Sequence, residues 1–276
     1  MIMTAKHVCS RSISLLTALI AVTVATGAVA KSVSVPHDAT TISSAVLNAS
    51  SGDTVWVDDG EYRERVVLPH GVALMARTRF KAVIDGGGRG TVVTLGKDNI
   101  VMGFEIRNGT IGVFTNGAGN VIRYCRIIRN WQTGVVCVRH LPTLEDNIIA
   151  FNRGSGVQGW DVRSSVATVN HNTIAYNSNH GIAVGGASSF VVENNIIAFN
   201  ERFAFRIHDE SRKNVRIANN NVYQNLNAPG GVPEGNFSFD PAFIAPRTNM
   251  NFAPDPEQCC TIKGTDNENL GARLIY

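Results

Sequence analysis

Asn147-Ile-Ile-Ala-Phe-Asn152, Asn172-Thr-Ile-Ala-Tyr-Asn177 and Asn195-Ile-Ile-Ala-Phe-Asn200 are three versions of one hexapeptide. Outward from them, the closing asparagine recurs at 108, 130, 152, 177, 200 and 225, at intervals of 22 to 25 residues. Four residues after the first four of these stands a glycine: Gly112, Gly134, Gly156 and Gly181, with Ala204 in the fifth copy. An apolar side chain follows at Val113, Val135, Val157, Ile182 and Phe205. Another precedes the asparagine by three, at Ile127, Ile149, Ile174, Ile197 and Val222, with Glu105 the exception. A period in this range marks a repeat architecture.

Each copy is too short to bury a core of its own. Within it Val, Ile and Phe alternate with small or polar residues, as in Gly181-Ile-Ala-Val184. That is the period of a strand rather than of a helix. Asn and Gly punctuate it and suit bends with positive φ. Short strands joined by tight bends at this period form one coil of a parallel β-helix, with coils stacked at ~4.8 Å. Equivalent residues then lie one above another. The asparagines, and a second series five residues earlier (Asn147, Asn172, Asn195 and Asn220, with Cys125 in an earlier copy), are expected to form amide ladders. The aligned Val, Ile and Phe are expected to form a dry axial core.

These repeats resemble those of the right-handed parallel β-helix proteins of the pectin-lyase-like superfamily, and the three hexapeptides carry the likeness. Gly52-Asp-Thr-Val-Trp-Val-Asp-Asp-Gly60-Glu-Tyr62-Arg-Glu64, Ile84-Asp-Gly86 and Ile100-Val-Met-Gly-Phe104 resemble the first strands of such proteins. Asp240-Pro-Ala-Phe243 and Leu270-Gly-Ala272 resemble their closing segment. Residues and resemblance together predict an all-β fold, a single-stranded right-handed parallel β-helix solenoid of about seven to eight coils over residues 53–225. The superfamily includes lyases, hydrolases, epimerases and non-catalytic proteins, so fold alone assigns no activity.

Solenoid ends need caps. Residues 31–52 form the expected N-terminal one: Ile42, Ala45, Val46 and Ala49 share a helical face between Thr40 or Thr41 and Gly52. Residues 226–276 lose the repeat and carry Pro229, Pro233, Pro241, Pro246 and Pro254. They are expected to be a loop-rich C-terminal cap folded over the last coil, with Asp255, Glu257, Asp266 and Glu268 as solvated charges.

Residues 1–30 have the pattern of a secretory signal peptide: Lys6 and Arg11, an apolar run over 13–25, and Ala28-Val29-Ala30 as the cleavage site. This predicts a secreted or periplasmic chain with no membrane anchor after cleavage. The 276 residues hold 25 Lys and Arg against 22 Asp and Glu; without Lys6 and Arg11 the balance is 23 against 22. No basic field for nucleic acid results, and no nucleic-acid partner is expected. Beyond Cys9, the cysteines are Cys125, Cys137, Cys259 and Cys260. Export permits disulfides, and four cysteines allow three pairings. Cys137 falls on an inward position, as an inert core thiol. The sequence sets no oligomeric state.

After each glycine, alternation turns positions one and three inward and positions two and four outward. The outward pairs are Phe114/Asn116, Val136/Val138, Gln158/Trp160, Ala183/Gly185 and Arg206/His208. The bends that follow add Arg139, His140, Asp161, Arg163, Asp209 and Glu210. Trp160 is either a stacking platform for a sugar ring or a side chain packed under the C-terminal cap. Arg206, Arg163 or Arg139 suits the carboxylate of a uronate, and His208 or His140 the removal of the adjacent proton, as in a lyase. Asp161 and Asp209 share a register two coils apart, roughly 10 Å between backbones. Side-chain reach brings that near the about 6.5–9.5 Å of an inverting glycosidase. His208, Asp209, Arg206 and Asp161 are therefore the catalytic candidates. Trp160, Gln158, Arg163, His140, Arg139 and His180 are the substrate-binding ones. An ordinary surface cluster of charges is the alternative for both sets.

Asn179-His180-Gly181 resembles the Gly-His-Gly of polygalacturonase-like glycoside hydrolases of this fold, and Arg206-Ile207-His208 their Arg-Ile-Lys. The aspartates such enzymes carry one and two coils earlier have no counterpart near Gln158 and Val136. The bends before the glycines offer Thr110, Gln132, Arg153, Ser178, Asn179 and one acid, Glu201, too few carboxylates for a tight calcium site. No metal and no cofactor are expected. An exported β-helix is thus predicted that binds an acidic polysaccharide along its exposed strand face, with cleavage or modification as the catalytic form of that reading. A non-catalytic structural or protein-interaction β-helix is the alternative. Copper-cofactor assembly is disfavoured, because only Met75, Met102 and Met250 follow the leader.

Overall fold

The computed structural model describes residues 29–163, 168–226, 231–255 and 263–273. Three sheets of nine, eight and seven strands run the length of the molecule, and each complete coil adds one strand to each. The chain passes from the nine-stranded to the eight-stranded to the seven-stranded sheet and back. Thr143–Glu145, Ile148–Ala150, Val157–Trp160 and Thr168–Asn170 trace one such circuit. Every pairing within these sheets is parallel, for example Val135 beside Val157 and Val157 beside Ile182. The result is an all-β right-handed solenoid of about nine turns, slightly more than predicted. The difference lies at the N-terminal end, where Ser32–Val35, Thr54–Val57 and Ala73–Ala76 already stack without the Asn and Gly signature.

Register explains the core. Ile127, Ile149, Ile174, Ile197 and Val222 form one column and are buried. Cys125 and Cys137 lie in the same core as free thiols, and burial pushes both up to about 12. Cys259 and Cys260 lie outside the described residues.

The asparagines form the two expected ladders. Asn147 donates its backbone N–H to Asn172 Oδ1 at 3.0 Å and its Nδ2 to the same oxygen at 2.9 Å. Asn172 does the same to Asn195, and Asn195 to Asn220. In the other series Asn130, Asn152, Asn177, Asn200 and Asn225 are linked alike. The residues just before this second series, Phe151, Tyr176 and Phe199, have φ near +56°. Left-handed backbone costs about 1–2 kcal/mol per non-glycine residue. The ladder satisfies the bend, and the three rings stack at 5.2 and 4.9 Å on the outside.

The helix at the N-terminal end spans Ile42–Leu47, and Thr41 and Ser44 form a capping box. Glu64 accepts the N–H groups of Ile42 and Ser43 at 3.0 and 2.8 Å. At the other end Asn236 accepts from Asn220 and terminates a ladder. The C-terminal segment then returns along the outside of the eight-stranded sheet. Phe252 packs with Ile128, Ile148, Ala150 and Ala175, and Leu270 with Ile196 and Ala198. Asp266, exposed as expected, also meets the buried His171 Nε2 at 2.7 Å, and Arg273 Nε meets Asp146 Oδ1 at 2.7 Å. This return closes the C-terminal half of the eight-stranded sheet. Among the described residues no helix is long and apolar enough to cross a membrane.

Candidate functional site

The seven-stranded sheet carries the outward rows. Val136, Gln158, Ala183 and Arg206 stand in one row across four coils, and Val138, Trp160 and Gly185 in the next. His208 donates its backbone N–H to the Val184 carbonyl at 2.9 Å, which continues the second row past Gly185. The inward partners Val135, Cys137, Val157, Ile182 and Val184 are buried, as alternation requires.

Trp160 is 49 % exposed. Its in-register neighbour is Gly185, and a Cβ there would collide with Cε3 and Cζ3 of the indole. The ring therefore lies across the glycine. Gln158, Trp160, Ala183, Gly185, Arg206 and His208 line a shallow depression of about 190 Å³. One aromatic face, an amide, a guanidinium and an imidazole thus meet across three neighbouring strands, Val157–Trp160, Ile182–Gly185 and Phe205–Ile207, and the residue that follows the last.

The other candidates surround this group. Asp209 is exposed and paired with Arg212 Nε at 2.7 Å, and that hydrogen bond and charge hold its carboxyl below the usual value. Asp161 has φ of 51°, and its Oδ1 accepts the Ala187 N–H at 3.2 Å, fastening one bend to the next. Arg139 and Arg163 follow in the same bends of adjoining coils, the Arg163 N–H bonding the Arg139 carbonyl at 3.0 Å. Both are exposed, and His140 is half-buried beside them. His180 lies at the opposite edge of the sheet. It stacks on Phe203 at 5.4 Å, and its Nδ1 accepts the Phe203 N–H at 3.3 Å, which requires that nitrogen unprotonated. Burial, then Arg202 and Arg206, lowers its pKa from 6.5.

The strand pattern did not single out Trp131 and Arg153. Trp131 is 48 % exposed, and the Arg153 guanidinium carbon sits 3.9 Å from its ring centroid. The available signal is that each directly follows a ladder asparagine, Asn130 or Asn152. With that residue turned inward, the next one turns out.

Two other polar or hollow regions are less suited to a ligand. On the eight-stranded sheet, Arg107 pairs with Glu61, Asp85 and Glu105, and Arg126 with Glu105, a network whose charges already satisfy one another. A hollow of about 330 Å³ at the last coil is lined by core side chains such as Phe205, Ile217 and Val222. Among the described residues no group of three His, Cys, Asp or Glu side chains is placed to hold a metal ion.

These features define a right-handed parallel β-helix with an aromatic and cationic open face. The family model described as "Right handed beta helix region" matches residues 31–189 and 161–232, and the chain belongs to that family. Among solved structures, pectate lyase Pel9A is similar with a TM-score of 0.51 at 13 % identity, covering 75 % of this chain and 73 % of that one. An alginate lyase from Paenibacillus sp. str. FPU-7 has a TM-score of 0.49 at 13 % identity, covering 76 % and 96 %. Pectin methylesterase PemA from Erwinia chrysanthemi has a TM-score of 0.35 at 13 % identity, covering 83 % and 98 %. At these identities the likeness is one of fold. No curated protein matches the chain.

Proposed function

We propose that this chain binds an acidic polysaccharide on the open face of the seven-stranded sheet. The carrying observation is the indole of Trp160, laid across Gly185 and half open, in one depression with Arg206 and His208. A pyranose ring needs a flat apolar surface, and its carboxylate needs a guanidinium with hydrogen-bond donors. The fold shared with a pectate lyase accords with a polymer ligand. The protein acts outside the cytoplasm on this reading, which rests on residues 1–30 and is checked by N-terminal sequencing of exported material.

The depression also favours a catalytic reading. Arg206 would hold the uronate carboxylate while His208 takes the C5 proton; the C4=C5 double bond forms as the C4–O glycosidic bond breaks and the departing oxygen takes a proton from water, with Asp209 and Asp161 kept for their hydrogen bonds. Wild type and Trp160→Ala are titrated against a panel of uronate polysaccharides by calorimetry, with ultraviolet absorbance followed for new double bonds. The expected result is binding that Trp160→Ala weakens about ten-fold, the equivalent of about 1.4 kcal/mol. Absence of binding across the panel, or an unchanged affinity in Trp160→Ala, refutes the proposal. Binding without absorbance change refutes only the lyase form.

A further inference from the structure

We propose that the polysaccharide site has a second platform, Trp131 with Arg153, and that the bound chain crosses the coils from one edge of the seven-stranded sheet to the other. This rests on the binding reading above and extends it to residues that reading does not use.

Trp131 stands in the bend leading into Val135–Val138, and Trp160 ends the strand of the next coil, Val157–Trp160. The two therefore mark opposite edges of one sheet, one coil apart. A line joining them runs nearly along the strands, not along the solenoid axis. The four residues of Val157–Trp160 span roughly 13 Å at strand rise. A ligand that touches both indoles is thus longer than a single sugar ring.

The two positions share their exposure. Each indole is about half exposed. Each has a glycine as one register neighbour: Gly185 beside Trp160, and Gly109, whose carbonyl accepts the Trp131 N–H at 2.7 Å. At Gly185 the missing side chain leaves the ring uncovered, whereas a side chain at Gly109 would meet Val92 and not the Trp131 indole. The Arg153 guanidinium lies over one face of the Trp131 ring. Between the platforms the outward surface is low: Gln158 is exposed, and Val136 and Ala183 are half-buried.

Charge selects the ligand. Arg153 and Arg202 are exposed at the leading edge, and Arg139 and Arg163 at the trailing edge. The acids nearest these arginines accept hydrogen bonds, Asp161 from the Ala187 N–H and Glu201 from the Ser178 hydroxyl. Cations at both ends of an apolar floor suit an oligomer with an anionic group on successive rings, such as a uronan.

The test uses the full chain and a graded length series of oligogalacturonates and oligomannuronates. Wild-type affinity should rise with length until both platforms are spanned. Trp131→Ala should leave the shortest oligomers unaffected and abolish most of that rise, a loss of about ten-fold for long ones. Trp131→Phe should restore it, and unchanged thermal unfolding should accompany all three proteins. Trp160→Ala should weaken every length. If Trp131→Ala binds long oligomers like wild type while Trp160→Ala does not, the second platform is refuted and the open-face site stands. If the rise with length is lost in Phe114→Ala instead, the chain runs along the axis and the inference is wrong. If wild type binds no oligomer or polymer, both proposals fall.

Discussion

Replacing Asn172 with alanine should destabilise the whole solenoid, because its amide serves three coils. Its Oδ1 accepts the backbone N–H and the Nδ2 of Asn147. Its Nδ2 donates to the carbonyls of Leu144 and Asn170, at 2.8 and 2.9 Å, and to Asn195 Oδ1 at 3.1 Å. In the alanine variant Asn147 Nδ2 still has the Ile122 carbonyl, whereas the buried Asn147 N–H loses its acceptor. An orphaned buried donor costs about 1–3 kcal/mol, and each further bond contributes about 0.5–1.5 kcal/mol net. Discounted for shared partners, the loss is about 3–5 kcal/mol. A typical domain has only about 5–15 kcal/mol in total. Aspartate makes a sharper test. It keeps the acceptor for Asn147 but turns an oxygen towards Leu144, Asn170 and Asn195, all acceptors. Burial and this repulsion would raise its folded pKa above the unfolded value of about 3.9. Its penalty against wild type should therefore grow as pH rises through that unfolded value, be largest above the folded one, and shrink on acidification. Urea unfolding followed by circular dichroism, at neutral pH and near pH 4, measures both. A cost under about 1 kcal/mol for Asn172→Ala, or Asn172→Asp matching wild type at neutral pH, would refute the ladder as a structural element.

Gly185→Ala should lift the Trp160 indole off its bed, red-shift its fluorescence and weaken polysaccharide binding about ten-fold. Unaltered emission would contradict that geometry. The His180 ring should titrate below 6.5 in an NMR experiment, and Arg202→Gln should move its midpoint up. Because the folded pKa lies below the unfolded one, the unfolded chain protonates first: the contribution to stability is full above pH 6.5 and declines as pH falls from there. Cys125 and Cys137, buried with thiols pushed up to about 12, should escape iodoacetamide in the native protein and react only in denaturant, as peptide mapping will show. Arg273→Ala leaves the buried Asp146 with Arg123 and the backbone N–H of residue 273, and should cost about 1–3 kcal/mol, less than a fully enclosed pair. Faster amide exchange over residues 263–273 is the readout.

What could be read from residues follows from what repeats. Asn147, Asn172, Asn195 and Asn220 were legible as a ladder because each faces its own equivalent, so one period carries the geometry of the next. Alternation likewise turned Trp160, Arg206 and His208 outward. The first turns escaped the repeat count because Val35, Val57 and Ala76 reach their places without Asn or Gly. The path of the C-terminal segment was not legible, since Phe243, Phe252 and Leu270 have no period and find Ile148, Ala175 and Ile196 only through tertiary fit. Asp266 is exposed as expected, but its pairing with His171, 95 residues away, was not legible for the same reason. A tripeptide likeness grouped His180 with the ligand-binding set, but its ring is engaged by Phe203 at the edge of the sheet. Trp131 and Arg153 lie in bends, where alternation gives no direction and only the asparagine one residue earlier does.

Within each asparagine series the side-chain amide oxygen that an asparagine's N–H and Nδ2 meet belongs to the asparagine of the following turn, never to that of the preceding one. The column from Asn147 runs on through Asn220 to Asn236, which stands outside the coils and gives its own Nδ2 to the Ile217, Pro233 and Glu234 carbonyls. Every turn is thus a plug on one side and a socket on the other, and Asn236 is the stopper. A segment of one period copied into the middle of the chain would bring both fittings with it. Such a protein can lengthen or shorten by whole turns without redesigning its interior, provided the stopper stays at the end.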